Sequence, residues 1–156
     1  MKESVFLRPN AEKFKGNVHP HSLITKRIKE AVDKGYEFLR KEHIADYQYF
    51  FNRVDIQLTD KIPTIPTDKL LSQYRSGKHD TYLEELFFQY GRYLLIASSR
   101  VGSLPPNLQG VWTQYDFSPW SGGYWHNVNV QMNYWHVFNT NLSELFNPYM
   151  LSLIHI

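Results

Sequence analysis

The stretch DTYLEELFFQYGRYLLIAS, residues 80–98, decides the fold class. Leu83, Leu86, Phe87, Tyr90, Leu94 and Ala97 recur every three or four residues, the spacing of one helix face. Thr81 and Glu84 stand at capping-box spacing, and Asp80 is an alternative N-cap. Gly91 within this helix is expected to mark the close approach of another element.

Upstream, the pattern is again helical. Ile28, Val32, Tyr36, Leu39, Tyr47, Phe50 and Val54 keep a three-to-four spacing, so residues 23–57 read as one long helix. Gly35 weakens its middle by about 1 kcal/mol relative to Ala. His43 and Asp46 fall near the apolar stripe; bonding to backbone or to a packed partner is weighed there against a catalytic pair. Pro63 and Pro66 require a linker over 58–66. Thr67 or Asp68 can cap a short helix through Tyr74, closed by Gly77. Residues 1–22 are irregular, with a possible short strand at Val5, Phe6 and Leu7.

Downstream, residues 99–126 form a long loop, SRVGSLPPNLQGVWTQYDFSPWSGGYWH, rich in Pro and Gly. A loop of this length in a compact domain is functional or disordered. Trp112, Tyr115, Phe117, Trp120, Tyr124 and Trp125 argue against disorder. Asn127, Val128, Asn129 and Val130 alternate like a strand, and a helical pattern returns from Val130 through Tyr134 and Phe138. Asn141 and Glu144 suggest a further capped helix that Pro148 ends.

Composition narrows the classes. The 156 residues carry 17 Lys+Arg against 15 Asp+Glu, a net charge of +2. That is too small to imply nucleic acid or an anionic membrane as partner. No apolar run reaches the roughly 18 residues of a transmembrane helix, so no membrane insertion is expected. The start lacks the apolar core of a signal peptide. Without Cys there is no disulfide framework and no thiolate metal site or nucleophile. The His spacing suggests no metal site either. The 16% aromatic content suits a large core or a surface that stacks on flat ligands.

No phosphate-binding Gly loop, G-x-S-x-G or H-E-x-x-H motif occurs. The densest polar-aromatic stretch is 105–136, with Asn107, Gln109, Gln114, Asn127, Asn129, Gln131 and Asn133 among Trp and Tyr. Uncharged amides offer both donor and acceptor to sugar hydroxyls, and aromatic faces stack on pyranose C–H. The same amides could instead cap helices and tie down the loop. Chemistry alone leaves both readings open.

HIADYQYFFNRV (43–54), FQYGRYLLIASSR (88–100), PPNLQGVW (105–112) and NVNVQMNYW (127–135) together closely resemble glycoside hydrolase family 95, whose members include α-L-fucosidases. The resemblance covers about residues 20–148 and keeps the family's order and spacing. It implies a mainly α fold: a helical linker plus the first helices of an incomplete (α/α)6 barrel. On that map residues 1–22 are a tail from a preceding β-sandwich. Residues 23–66 are the helical linker and 67–150 the start of the catalytic barrel. The final LSLIHI departs from the family pattern and looks like sequencing-adaptor read-through over 151–156, so a truncated reading frame is expected.

The resemblance also implies hydrolysis with inversion of terminal α-L-fucosyl or α-L-galactosyl residues, without a cofactor, on a fucosylated oligosaccharide or glycan substrate. The family's N-x-N motif falls on Asn127 and Asn129, which would hold the nucleophilic water. Asn107, Gln109 and Trp112 fall in a family-like block and would line the substrate pocket, and His126 beside the motif is grouped with them. Gln131, Asn133 and Trp135 would shape the first turn of the helix below. The family's general-acid glutamate and polarising aspartate lie further downstream; Asp116 and Glu144 match neither motif, and Glu144 reads as a cap partner. This chain alone is therefore expected to be inactive and poorly soluble. The full-length enzyme is expected to be secreted or periplasmic. The rival reading is a non-catalytic helical carbohydrate-binding or interaction module that uses the aromatic loop.

Overall fold

A computed structural model describes residues 19–154, which are mainly helical, as the sequence predicts. The possible strand at Val5–Leu7 lies outside the described residues. Among the described residues there is no strand, only an isolated antiparallel bridge between Asn107 and Gly110. The α-helices are α1 (Pro20–Lys34), α2 (Tyr36–Phe51), α3 (Thr67–Arg75), α4 (Thr81–Ser98), α5 (Asn129–Tyr134) and α6 (Asn147–Ile154). Two compact units divide the chain, with the boundary after Ala45, inside α2.

The first unit holds α1 and the start of α2. His19 caps α1, its Nδ1 accepting from the His21 amide at 3.2 Å, and Pro20 follows at the first position, where its missing N–H costs nothing. The single long helix expected over 23–57 is instead two helices. Gly35 takes φ 76° and ψ 158°, outside the helical region, and its N–H bonds back to Ala31 and Val32. That backbone state is open to Gly and strained for other residues, so the glycine breaks the helix rather than weakening it. Lys34 pairs with Glu42 at 3.2 Å. Neither α1 nor α2 buries a residue.

The second unit contains the core. Leu95 and Ile96 of α4, Val130 and Tyr134 of α5, Val137, Leu142, Leu145 and Tyr149 of α6 form one buried cluster. Tyr47, Phe50 and Phe51 at the end of α2 pack against it. Helix α2 stops at Phe51, earlier than the periodicity suggests, because buried Arg92 of α4 reaches its end. Arg92 donates to the carbonyls of Phe50 at 3.1 Å and Val54 at 2.8 Å. A cation is favoured where helix carbonyls are unpaired.

The capping of α4 falls to Asp80, whose carboxylate accepts from the Leu83 amide at 2.9 Å. Thr67 begins α3 without acting as its cap, and Pro66 stands at that position. Gly77 does close α3: its N–H bonds Tyr74 at 3.0 Å and the Lys78 N–H bonds Gln73 at 3.1 Å, a Schellman pair. The cap expected from Asn141 and Glu144 does not form. Asn141 turns through φ 55°, and Glu144 pairs with Arg53 at 2.9 Å. Pro148 lies in the first turn of α6 instead of ending a helix, a position that needs no proline N–H.

Candidate active site

The loop after α4 is fixed by its own amides. Asn107 Oδ1 accepts from the Gln109 amide at 3.0 Å, and the Asn107 carbonyl accepts from Gly110 at 2.9 Å, which makes a tight turn. Gln109 spends both ends of its side chain on the loop: Nε2 donates to the Pro119 carbonyl at 2.6 Å, and Oε1 accepts from Ser118 Oγ at 3.0 Å. The loop-tying role weighed from composition is thus realised at Gln109. Asn133 of α5 donates from Nδ2 to the Asn107 carbonyl at 3.2 Å and holds this turn against the helix.

The segment that carries Asn127 and Asn129 is not a strand. Trp125 turns through φ 53°, Val128 sits at φ −109° and ψ −28°, and Asn129 is the first residue of α5. A strand there would put both amides on one side and pack Val128 on the other. Instead all three are exposed, Val128 at 48%. The apolar anchor is Val130, fully buried, and it sets a helical register that overrides the two-residue period. Among the described residues neither Asn127 nor Asn129 commits its side chain to a hydrogen bond, so both amides are free to meet solvent or a ligand.

His126 is packed between aromatic rings. Its ring lies between Tyr124, at 5.7 Å and 21°, and Tyr149, at 6.1 Å and 28°. Tyr149 in turn stacks on Tyr134 at 5.2 Å. The His126 Nδ1 is buried without a partner. The His126 carbonyl accepts from Gln131 Nε2, and the Trp125 carbonyl accepts from the Val130 amide at 3.4 Å. The turn leading into Asn127 is therefore anchored in the core through its neighbours.

A cavity of about 300 Å³, at the small end of ligand pockets, opens between α4, the loop and α5. Gly91, Leu94, Leu95, Leu108, Trp112 and Met132 give it an apolar wall, and Gln109, Asn133 and His136 give it polar edges. Of the residues chosen from sequence, Gln109 and Trp112 line it, while Asn107, His126, Asn127 and Asn129 do not. Asn129, Met132 and Asn133 share one face of α5 by helical spacing. Gly91 borders this open space. A Cβ there would meet nothing within 4 Å, so its expected close contact with another element is absent. Burial lowers the pKa of His136 below its usual value, the Gly91 carbonyl opposes that shift and Arg92 adds to it. The imidazole is neutral at neutral pH, with Nε2 buried and unpartnered.

Among the described residues no carboxylate lines the cavity. Asp116 is exposed, Glu144 is engaged by Arg53, and Asp46 by Arg100 at 2.5 Å. The packed-partner reading of Asp46 is the one realised. Among the described residues no three His, Asp or Glu side chains group as a metal site. The roles of Ser118 and His136 were not visible in the sequence. Ser118 acts through a loop closure, and His136 lies just past the end of a six-residue helix too short to give a periodic signal.

Comparison with known proteins gives a consistent result. A family model described as the glycosyl hydrolase family 95 catalytic domain matches residues 35–155. A probable alpha-fucosidase A of Aspergillus niger is 47% identical over 137 residues, which is 86% of this chain and 17% of that protein. A probable alpha-fucosidase A of Aspergillus oryzae is 42% identical, covering 85% and 19% respectively. Alpha-L-fucosidase 2 of Arabidopsis thaliana is 40% identical, covering 84% and 16%. The chain thus spans less than a fifth of the length of these relatives.

Proposed function

This chain belongs to glycosyl hydrolase family 95, and we propose that it is a piece of a longer enzyme that hydrolyses terminal α-L-fucosyl or α-L-galactosyl residues of glycans. The observation that carries this reading is the 47% identity to a probable alpha-fucosidase across 86% of the chain. Residues 67–150 would open the catalytic domain, 23–66 would form the helical linker and 1–22 the tail of a preceding domain. The longer enzyme would act outside the cell on fucosylated oligosaccharides.

The chemistry proposed is inversion. Asn127 and Asn129 hold the attacking water by accepting its hydrogen bonds with their amide oxygens. An amide cannot keep a proton at neutral pH, so an anionic neighbour must draw it away, and a carboxylic acid must protonate the leaving oxygen. Both carboxylates would come from residues outside this chain. In support, both asparagine amides are exposed and uncommitted, and the turn that carries them is anchored by His126 and Val130. Gln109 and Trp112 would meet the sugar from the cavity side, and Asn107 would shape that wall. The 156 residues alone are proposed to be inactive, since their nearby carboxylates are exposed or paired with arginines.

The test is to follow the anomeric proton signals of released sugar while a longer polypeptide containing this chain hydrolyses an α-L-fucoside. Release of the β-anomer first is expected. First appearance of the α-anomer, or no hydrolysis of either an α-L-fucoside or an α-L-galactoside, would refute the reading. Turnover by the purified 156-residue chain would refute its proposed inactivity.

A further inference from the structure

We infer that Gln131 and Asn133 are positioning residues with separate duties: Gln131 holds the water-binding turn and Asn133 holds the substrate-binding arm. The inference rests on the reading above, because it assigns roles relative to Asn127 and Asn107. Both side chains leave α5 and both donate to a backbone carbonyl outside it. Gln131 Nε2 donates to the carbonyl of His126, the residue before Asn127. Asn133 Nδ2 donates to the carbonyl of Asn107 at 3.2 Å. One short helix thereby links the two segments that carry the candidate site.

The Gln131 contact has a sign of being held for position. Its Oε1 is buried with no partner, so the amide is retained for its donor end at the expense of an orphan acceptor. Buried polar atoms without partners are rare, and they persist where the surrounding structure fixes the group. The carbonyl it holds lies beside Trp125, whose φ of 53° is unfavourable for a bulky residue. Without the donor, that turn can relax toward ordinary backbone angles and carry Asn127 with it. Asn133 acts on a different turn, which Asn107 Oδ1 and Gly110 already close. Its loss would shift the arm as a unit against α5 and alter the wall that holds Gln109 and Trp112.

The duties separate kinetically. A displaced water-holding amide raises the barrier and leaves ground-state binding intact, whereas a displaced arm weakens sugar binding. In a longer polypeptide with hydrolytic activity, Gln131→Met keeps the side-chain length and removes the donor. The expected result is a kcat lower by about 10- to 100-fold with KM within about twofold, because small misplacements of reacting groups are costly. Asn133→Asp removes the donor at constant size and is expected to raise KM by about fivefold or more, with a smaller change in kcat. Hydrogen exchange supplies a readout independent of activity: residues 125–130 should exchange faster in Gln131→Met while α4 is unchanged. Gln131→Glu, which turns a carboxylate toward the carbonyl, should behave the same way and serves if the Met variant does not fold.

Unchanged exchange over 125–130, or faster exchange with kcat within twofold of wild type, would overturn the role of Gln131. Equal effects of the two variants on kcat and KM would overturn the division of duties. If the wild type hydrolyses no fucoside or galactoside, the functional reading fails, and the exchange result alone decides whether Gln131 holds the turn.

Discussion

Arg92 is fully buried, yet no carboxylate touches it; carbonyls of Phe50 and Val54, the Gln89 amide oxygen at 2.9 Å and the Phe51 ring surround it. Arg92→Leu would strand the Val54 carbonyl and leave the Phe50 carbonyl only the Arg53 amide at 3.4 Å, and a buried carbonyl left unpaired costs about 1–3 kcal/mol. The predicted loss is on the order of 3 kcal/mol in denaturant unfolding. Gly123 carries a sharper steric prediction. A Cβ there would lie 2.9 Å from the Trp125 indole nitrogen and 3.4 Å from the Trp120 carbonyl. Gly123→Ala should displace that indole, which a shift in tryptophan emission would report, at a cost of about 1–3 kcal/mol. His136 sets a pH dependence. Burial lowers its folded pKa below 6.5, so the unfolded chain binds the proton first. Its stabilising contribution is intact above about pH 6.5 and is lost as pH falls through the folded value. His136→Phe should flatten that part of the stability profile. At this scale the sequence was only partly legible. Gln109 and Trp112 were found through their motif and do line the cavity, but the motif could not reveal that Gln109 spends both amide ends on its own loop. His126 was grouped with the pocket by adjacency to the motif, and its ring contact with Tyr149, 23 residues on, was not legible there.

Some elements set by local pattern were read correctly, while one local glycine and several distant partners were not. Helix α4 and the closure of α3 by Gly77 follow from nearest-neighbour rules. The split of the first long helix depended on one glycine's φ, which periodicity does not encode. The strand expected at Asn127–Val130 failed because a four-residue alternation is weaker than the burial of Val130, Tyr134 and Val137 at helical spacing. Glu144 was lost to Arg53, 91 residues away. Ser99, just past α4, ties three elements: its hydroxyl donates to the Leu145 carbonyl at 2.7 Å and shares a hydrogen bond with the Tyr134 hydroxyl at 2.8 Å. Ser99→Ala should cost about 1–3 kcal/mol, since both partners stay buried. Burial pushes the Tyr134 phenol up to about 12, despite the hydrogen bond to Ser99. Its contribution to stability is therefore present below pH 10 and lost as pH rises from 10 to about 12. A spectrophotometric titration of the phenols checks that window.

Across the whole molecule, large apolar side chains remain in solvent in both units. Val32 and Tyr36 are each 73% exposed and Phe87 is 79% exposed, all on helices whose spacing marks an apolar stripe. Amphipathic faces of that kind are covered in a finished domain. The 156-residue chain on its own is predicted to self-associate and to bind an apolar dye, and light scattering together with dye fluorescence would check this. No helix among the described residues is long and apolar enough to cross a membrane. The most direct test of the account is kcat for Asn129→Ala in an active longer polypeptide that contains this chain. The account predicts a fall of about 10²- to 10⁴-fold, the usual contribution of a group that handles the reacting proton or water, with an unchanged melting temperature because Asn129 is exposed. A variant that keeps kcat within a few-fold of wild type would show that Asn129 does not hold the water.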